Sequence, residues 1–225
     1  LSIITTSKLF KKFEKKNIIL KRLNNIKDPI ILEFGVNRGG STNFFFDYIN
    51  DKGGQLFSID IKDCSNAVDS TEWNFFQCND LNKDKILKKY SIIEKGVDLL
   101  FIDSYHEPNH VKTLLHIWFY YLKKDGFIYF DDTESYLYRL KKNSILSIVN
   151  DSINDEIKKF YHQNYDQLRY TKYFHGTGLA ELQKFSDLYV KSNNNKIWTY
   201  NFFISKIYLF LKKLKFYFLY KFSKK

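Results

Sequence analysis

Methionine is absent from the 225 residues, and proline and cysteine each occur only twice. The two cysteines, Cys64 and Cys78, have no metal-ligand spacing and form no paired framework, which points away from a disulfide scaffold and towards a reduced, cytoplasmic setting. Long apolar runs are missing too. The opening stretch LSIITTSKLFKKFEKK meets charge before an apolar core long enough for a signal peptide can develop. A start at Leu1 without methionine leaves a truncated or processed chain open. Acid is in deficit, with 36 Lys and Arg against 25 Asp and Glu, for a net charge of +11. The basic excess gathers at the ends, in Lys8 to Arg22 and Lys206 to Lys225, while the middle carries most of the acids. A nucleic-acid binder more typically spreads its basic stripe across the domain face beside aromatic platforms, so nucleic acid is disfavoured as a partner. No internal repeat is present. With 44% hydrophobic residues the chain suffices for one domain with a sizeable core plus an appendage.

The most informative stretch is Val97 to Thr133. Val97 to Ile102 and Phe127 to Phe130 are short, almost wholly apolar runs that read as buried parallel strands, joined by a segment of helical periodicity. Each ends in acid. Ligands of open parallel sheets collect at the carboxyl ends of strands, and these ends carry Asp103, His106, Asp131 and Asp132. Three carboxylates so placed repel one another unless a cation, a proton or a positive ligand neutralises them. Upstream, Pro29 to Phe34 reads as a further strand running into a glycine turn, with Glu33, Gly35 and Gly39 spaced E-x-G-x-x-x-G. Ser41 and Thr42 stand where a helix through Ile49 would open. The strand Gln55 to Ile59 ends at Asp60, and an acid 20 to 30 positions beyond a glycine turn suits a ribose diol. A nucleoside-bearing cofactor is implied.

These residues carry a family resemblance. Glu33, Gly35, Gly39, Asp60 and the segment from IDSYHE to FDDT resemble the class I S-adenosylmethionine-dependent methyltransferases. More narrowly, they resemble the small metal-dependent O-methyltransferases of sugars and natural products and, more distantly, the catechol type. The resemblance covers about Asp28 to Leu182. It implies that Glu33, Gly35, Gly39, Ser41 and Thr42 line the methionine and ribose part of S-adenosylmethionine, with Asp103 also bordering the cofactor. Asp60 would hold the ribose hydroxyls, and Asp80 would face the adenine amino group or serve equally as the cap of a helix over Leu81 to Ile93. Asp103, Asp131 and Asp132 match the ligands of a divalent metal, and His106 matches the general base. Some relatives place an acid where this chain has Tyr105, which leaves the base open between His106 and an alternative. His110 and His116 read as ordinary helix residues, and His175 as part of a late edge strand.

The chemistry favours the same residue types. An alcohol is a poor nucleophile at neutral pH, a metal on hard oxygen ligands lowers its pKa, and an imidazole can take its proton. Magnesium suits such ligands, and manganese or calcium are accommodated. The expected fold is α/β, a doubly wound Rossmann-like, mostly parallel sheet with an antiparallel C-terminal strand pair and helices at both ends. The expected organisation is a basic helix over 1–27, a methyltransferase domain over 28–184 and a basic aromatic helical tail over 185–225. Ser7 to Asn24 supplies the first helix, Ile61 to Trp73 a loop with a short helix, and Ile145 to Tyr161 a helix after the acidic pair. In the tail, Ile204, Ile207, Phe210, Leu211, Leu214 and Phe218 share a helical face that suits either an anionic membrane surface or packing on protein, including a second copy. Lysines interrupt it too often for a transmembrane span.

The expected activity is metal-assisted O-methylation of a sugar, glycan or secondary-metabolite hydroxyl, carried out in the cytoplasm or peripherally at the inner membrane surface. Three alternatives stand beside it. One is a nicotinamide oxidoreductase, which lacks its G-x-G-x-x-G here. A second is a nucleic-acid methyltransferase; Pro29 and Pro108, far apart, exclude the Asp/Asn-Pro-Pro-aromatic motif of the amino-methylating kind. The third is a membrane- or RNA-associated binding module that kept the fold without turnover.

Overall fold

The computed structural model describes residues 15–134, 145–174 and 176–187, together with residues 207, 210, 211 and 214. Leu1–Leu188 form one compact unit and Tyr189–Lys225 a second. The first unit is built on a seven-stranded sheet in the order β3-β2-β1-β4-β5-β7-β6. The strands are β1 (Ile30–Phe34), β2 (Gln55–Asp60), β3 (Asn74–Gln77), β4 (Val97–Ile102), β5 (Leu122–Asp131), β6 (Leu168–Tyr173) and β7 (Leu179–Lys184). Five strands run parallel from β3 to β5, and β7 pairs antiparallel with both β5 and β6. The helices are α1 (15–23), α2 (Gly40–Lys52), α3 (Lys83–Lys89), α4 (Pro108–Trp118) and α5 (Ile145–Gln163).

Side chains alternate across a strand, so an unbroken apolar run must be covered on both faces. Ile31, Leu99 and Phe101 pack on one face with Ile19 and Leu23 of α1 and Phe45 and Phe46 of α2. Their neighbours Leu32, Phe34, Leu100 and Ile102 turn to the other, against Ile86 of α3, Leu114 and Trp118 of α4 and Ile157 of α5. Glu33 breaks the apolar run of β1 and is nonetheless fully buried.

Several local expectations change in the folded chain. Helix α2 is capped by Gly39 in the left-handed region, which has no side chain to serve as a cap, and Ser41, inside the helix, donates its hydroxyl to Glu33. The segment expected as one helix from Leu81 to Ile93 divides at Tyr90 into α3 and a 3-10 turn, Ser91–Lys95. Asn82, not Asp80, caps α3, accepting from the Lys85 backbone N–H. Strand β5 starts earlier than expected: Leu122 pairs with Val97, then a bulge lets Phe127 pair with Leu99. Residues 61–73 form a loop without a helix. In the second unit, Ile207, Phe210, Leu211 and Leu214 are helical and exposed. The other residues of that expected face lie outside the described residues, as do His175 and 1–14. Among the described residues, no helix is long and apolar enough to cross a membrane.

Candidate active site

The carboxyl ends of β1, β2 and β4 meet at the glycine turn. Gly35 has φ +92, and a Cβ there would overlap the Asp103 backbone carbonyl, so only glycine lets the β1 and β4 ends approach. Two further backbone bonds set the spacing: Asp103 N–H donates to Phe34 at 2.8 Å, and Gly35 N–H to Ile59 at 2.9 Å. Gly39 has φ +74, and a Cβ there would lie 2.7 Å from the Ala67 carbonyl oxygen.

Two acids hold this loop. Glu33 accepts from Ser41 Oγ at 2.5 Å and from Ser58 Oγ at 2.8 Å. Burial pushes its carboxyl up to about 7, against the lowering effect of those hydroxyls. Asp60 accepts from Val36 N–H at 2.8 Å and Asn37 N–H at 3.1 Å through Oδ2, and from Lys62 N–H at 2.9 Å through Oδ1. Partial burial raises its pKa, but the backbone donors outweigh that and leave it below the usual carboxylate range. Asp60 therefore shapes the glycine loop as well as bordering it. Thr42 is buried, and its hydroxyl is among the described buried side-chain atoms without a hydrogen-bond partner.

Asp80 follows β3 and is nearly buried. His110 Nε2 lies 3.0 Å from its Oδ2, and Trp118 Nε1–H donates to its backbone oxygen at 2.9 Å. His110 is thus more than an ordinary helix residue. It ties α4 to the acid expected beside adenine.

The second group lies at the ends of β4 and β5. Ligand atoms of Asp103, His106 and Asp132 all fall within 4.8 Å of one another, with His106 Nε2 3.6 Å from Asp103 Oδ1. Asp132 has φ +54, and its N–H donates to Asp131 Oδ1 at 2.8 Å. That places the two adjacent acids on different bearings. Burial, then the charges of Asp131 and Asp132, push the Asp103 carboxyl up to about 8. Burial raises Asp131 as well, while Lys15 opposes the rise.

Lys15, the first described residue of α1, forms an ion pair with Asp131, lies 3.8 Å from Asp132 Oδ1 and donates to Thr177 Oγ1 at 2.7 Å. Sequence reasoning missed this contact, because nothing in a basic N-terminal helix says which residue reaches a site 116 positions away. It missed Ser58 too, although a lone hydroxyl in the apolar strand QLFSID was a usable signal. The donor set of carboxylates and an imidazole fits a hard divalent cation. The Ser104 and Thr133 hydroxyls beside it are buried and unpartnered.

Residues 32–133 match a family model described as a methyltransferase domain. No curated protein matches the chain. Among solved structures, the chain is similar to a Staphylococcus aureus protein provisionally named a caffeoyl-CoA O-methyltransferase, at 18% identity over 82% of this chain and 93% of that one, TM-score 0.57. It is similar to CalS11, a TDP-rhamnose 3'-O-methyltransferase of calicheamicin biosynthesis, at 13% identity over 81% of each chain, TM-score 0.56. It is also similar to MycE of mycinamycin biosynthesis, seen with Mg, SAH and mycinamycin VI, at 20% identity over 70% of this chain, TM-score 0.50. The chain spans 45% of that MycE chain. At these identities the likeness establishes the fold. Together with the family match it identifies residues 32–133 as similar to a methyltransferase domain.

Proposed function

We propose that the protein is a metal-assisted O-methyltransferase acting on a hydroxyl of a sugar, glycan or secondary metabolite. The observation that carries this reading is the convergence of Asp103, His106 and Asp132 next to a glycine turn that a single Cβ would push apart. S-adenosylmethionine would lie along Glu33, Gly35, Gly39, Ser41 and Thr42, with Asp60 at the ribose, Asp80 at the adenine and Asp103 at the reacting end. A divalent cation, magnesium by its preference for oxygen ligands, would supply Lewis acidity and hold a pair of acceptor hydroxyls.

Asp103 and Asp132 are the proposed oxygen ligands. As the hydroxyl oxygen bonds the methyl carbon, the carbon–sulfur bond breaks, its electron pair returns to sulfur, and the sulfonium becomes a neutral thioether. The hydroxyl proton passes to His106, which Asp103 orients and whose cation it stabilises. A second reading makes His106 a third ligand, and its ring nitrogen's place among the candidate ligand atoms favours it; the proton then leaves to water.

Radiolabelled methyl transfer to a panel of nucleotide sugars and vicinal diols, with magnesium and with chelator, tests the proposal. Chelator-sensitive transfer is expected, and transfer at full rate under chelator contradicts it. His106→Ala separates the two roles. As a base it loses rate and the acid limb of the pH profile while metal affinity holds; as a ligand it loses at least tenfold in metal affinity. The CalS11 likeness favours a sugar-bearing acceptor. The exposed apolar helix positions of the second unit favour an anionic membrane surface as a further partner, in line with a glycan acceptor at that surface.

A further inference from the structure

Asp80 stands just beyond β3 and does not cap the helix that follows, since Asn82 does so. Helix α4 grips it at two points instead. His110 Nε2 lies 3.0 Å from Asp80 Oδ2, the two side chains being 12% and 9% exposed. Trp118 Nε1–H donates to the Asp80 backbone oxygen at 2.9 Å. A carboxylate only accepts hydrogen bonds, so the imidazole is the donor. Both grips come from the broad face of α4 that also sends Leu114 and Leu115 into the core.

His110 is itself held in place. Its backbone N–H donates to Glu107 Oε2 at 2.8 Å, the cap of α4, and Pro108 opens the helix. Tyr105 packs edge-on against the imidazole, with ring centroids 5.7 Å apart. The segment that carries Asp103 and His106 beyond β4 thus also supplies, from the first turn of α4, the group that holds Asp80. Burying an acid with an imidazole costs desolvation that an apolar pair would avoid. This pair lies where β3, parallel to β2, ends on the same edge as the glycine turn and Asp60. Among the described residues, Asp80 Oδ2 has the His110 donor and Oδ1 has none. One carboxylate oxygen is committed, and the other is left for a donor from outside the chain.

We propose that His110 is a positioning residue for adenine recognition: by occupying Oδ2 it fixes the Asp80 carboxylate and leaves Oδ1 to accept from the exocyclic amino group of the cofactor. It rests on the S-adenosylmethionine reading above, with Asp80 at the adenine, and adds the residue that orients this acid. The selectivity it confers is for a 6-amino over a 6-oxo purine, because a ring carbonyl in that place would set an acceptor against the carboxylate.

Calorimetric titration of S-adenosylhomocysteine and of S-inosylhomocysteine, its 6-oxo counterpart, into the full-length chain tests it, with no turnover needed. Wild type is expected to favour the adenine compound by at least about tenfold, the scale of one charge-assisted hydrogen bond. In His110→Ala that preference should fall below about threefold, through weaker binding of the adenine compound alone. His110→Gln keeps an N–H donor and should retain the preference. Asp80→Ala should abolish it, and adding His110→Ala to Asp80→Ala should change it no further. Circular dichroism melts establish that each variant is folded; should His110→Ala fail to fold, His110→Leu, which fills the space without a donor, carries the comparison. A His110→Ala protein that keeps the full preference, or that loses affinity for both compounds by the same factor, would overturn the proposal, since His110 would then only pack. Equal binding of the two compounds by wild type would overturn it as well, by removing Asp80 from the adenine, and would leave the methyltransferase reading standing. If wild type binds neither compound, the cofactor reading itself fails and takes this inference with it.

Discussion

Glu33→Gln tests how the cofactor end of the site is built. Glu33 has no solvent exposure, and burial raises its carboxyl from 4.5 to about 7. An acid with a raised pKa binds its proton more tightly folded than unfolded, so stability falls as pH rises from the unfolded value towards the folded one. A shift from 4.5 to about 7 corresponds to about 3 kcal/mol of lost stability once pH has passed through that window. Glutamine keeps one acceptor oxygen, carries no charge, and offers an amide donor that the hydroxyl of Ser41 or Ser58 can accept by rotating. Denaturant unfolding of both proteins from pH 5 to pH 8 reads the effect. Near pH 5 the two should be of similar stability, and by pH 8 the variant should be more stable by about 2 kcal/mol. The difference between the curves isolates Glu33 from Asp131, whose raised pKa slopes the same way in both, and adds to the Glu33 effect a smaller relief of Asp103, which the Glu33 charge also raises. A variant less stable than wild type at pH 8, or parallel curves, would refute the reasoning. Parallel curves would mean that Ser41 and Ser58 compensate the buried charge.

Gly35→Ala should cost at least about 3 kcal/mol, since it combines a left-handed φ with overlap on the Asp103 carbonyl; thermal melts check this, and a change under 1 kcal/mol would be inconsistent with the close β1–β4 approach. Arg22→Ala removes the cation paired with buried Glu181, leaving the Tyr129 and Tyr173 hydroxyls, and should destabilise by about 2 kcal/mol while loosening the seat of α1. Burial raises the thiols of Cys64 and Cys78, so both should alkylate more slowly than free cysteine at pH 7.5, as mass spectrometry after timed iodoacetamide exposure would show.

The strands were legible because buried parallel strands leave short apolar runs with abrupt ends. Val97–Ile102 appears in the structure with the bounds expected, and the acids after it follow directly from that boundary. The bulge in β5 was not legible. Lys123 to Gly126 reads as a turn, but it lies within β5 as an irregularity of the strand, and Leu122 before it already pairs with Val97. The break at Tyr90 was hidden because its cause is tertiary: the Tyr90 hydroxyl donates to Phe75 and its ring packs on Phe57 and Phe76. At the site, the residue types of the acidic cluster were readable from chain order, whereas its internal pairing was not. Asp131 and Asp132 are neighbours of identical chemistry, and only the positive φ of Asp132 and the arrival of Lys15 distinguish them. His110 looked like one more helix position until α4 packed beside Asp80.

The most direct test of the central claim is calorimetric titration of S-adenosylhomocysteine into the purified, chelator-treated chain, repeated with magnesium. The account predicts micromolar binding in both conditions, because the cofactor cradle is formed by β1, β2 and the glycine turn without the metal. Absence of binding in both would contradict the assignment of Glu33, Gly35, Gly39 and Asp60 to a nucleoside cofactor.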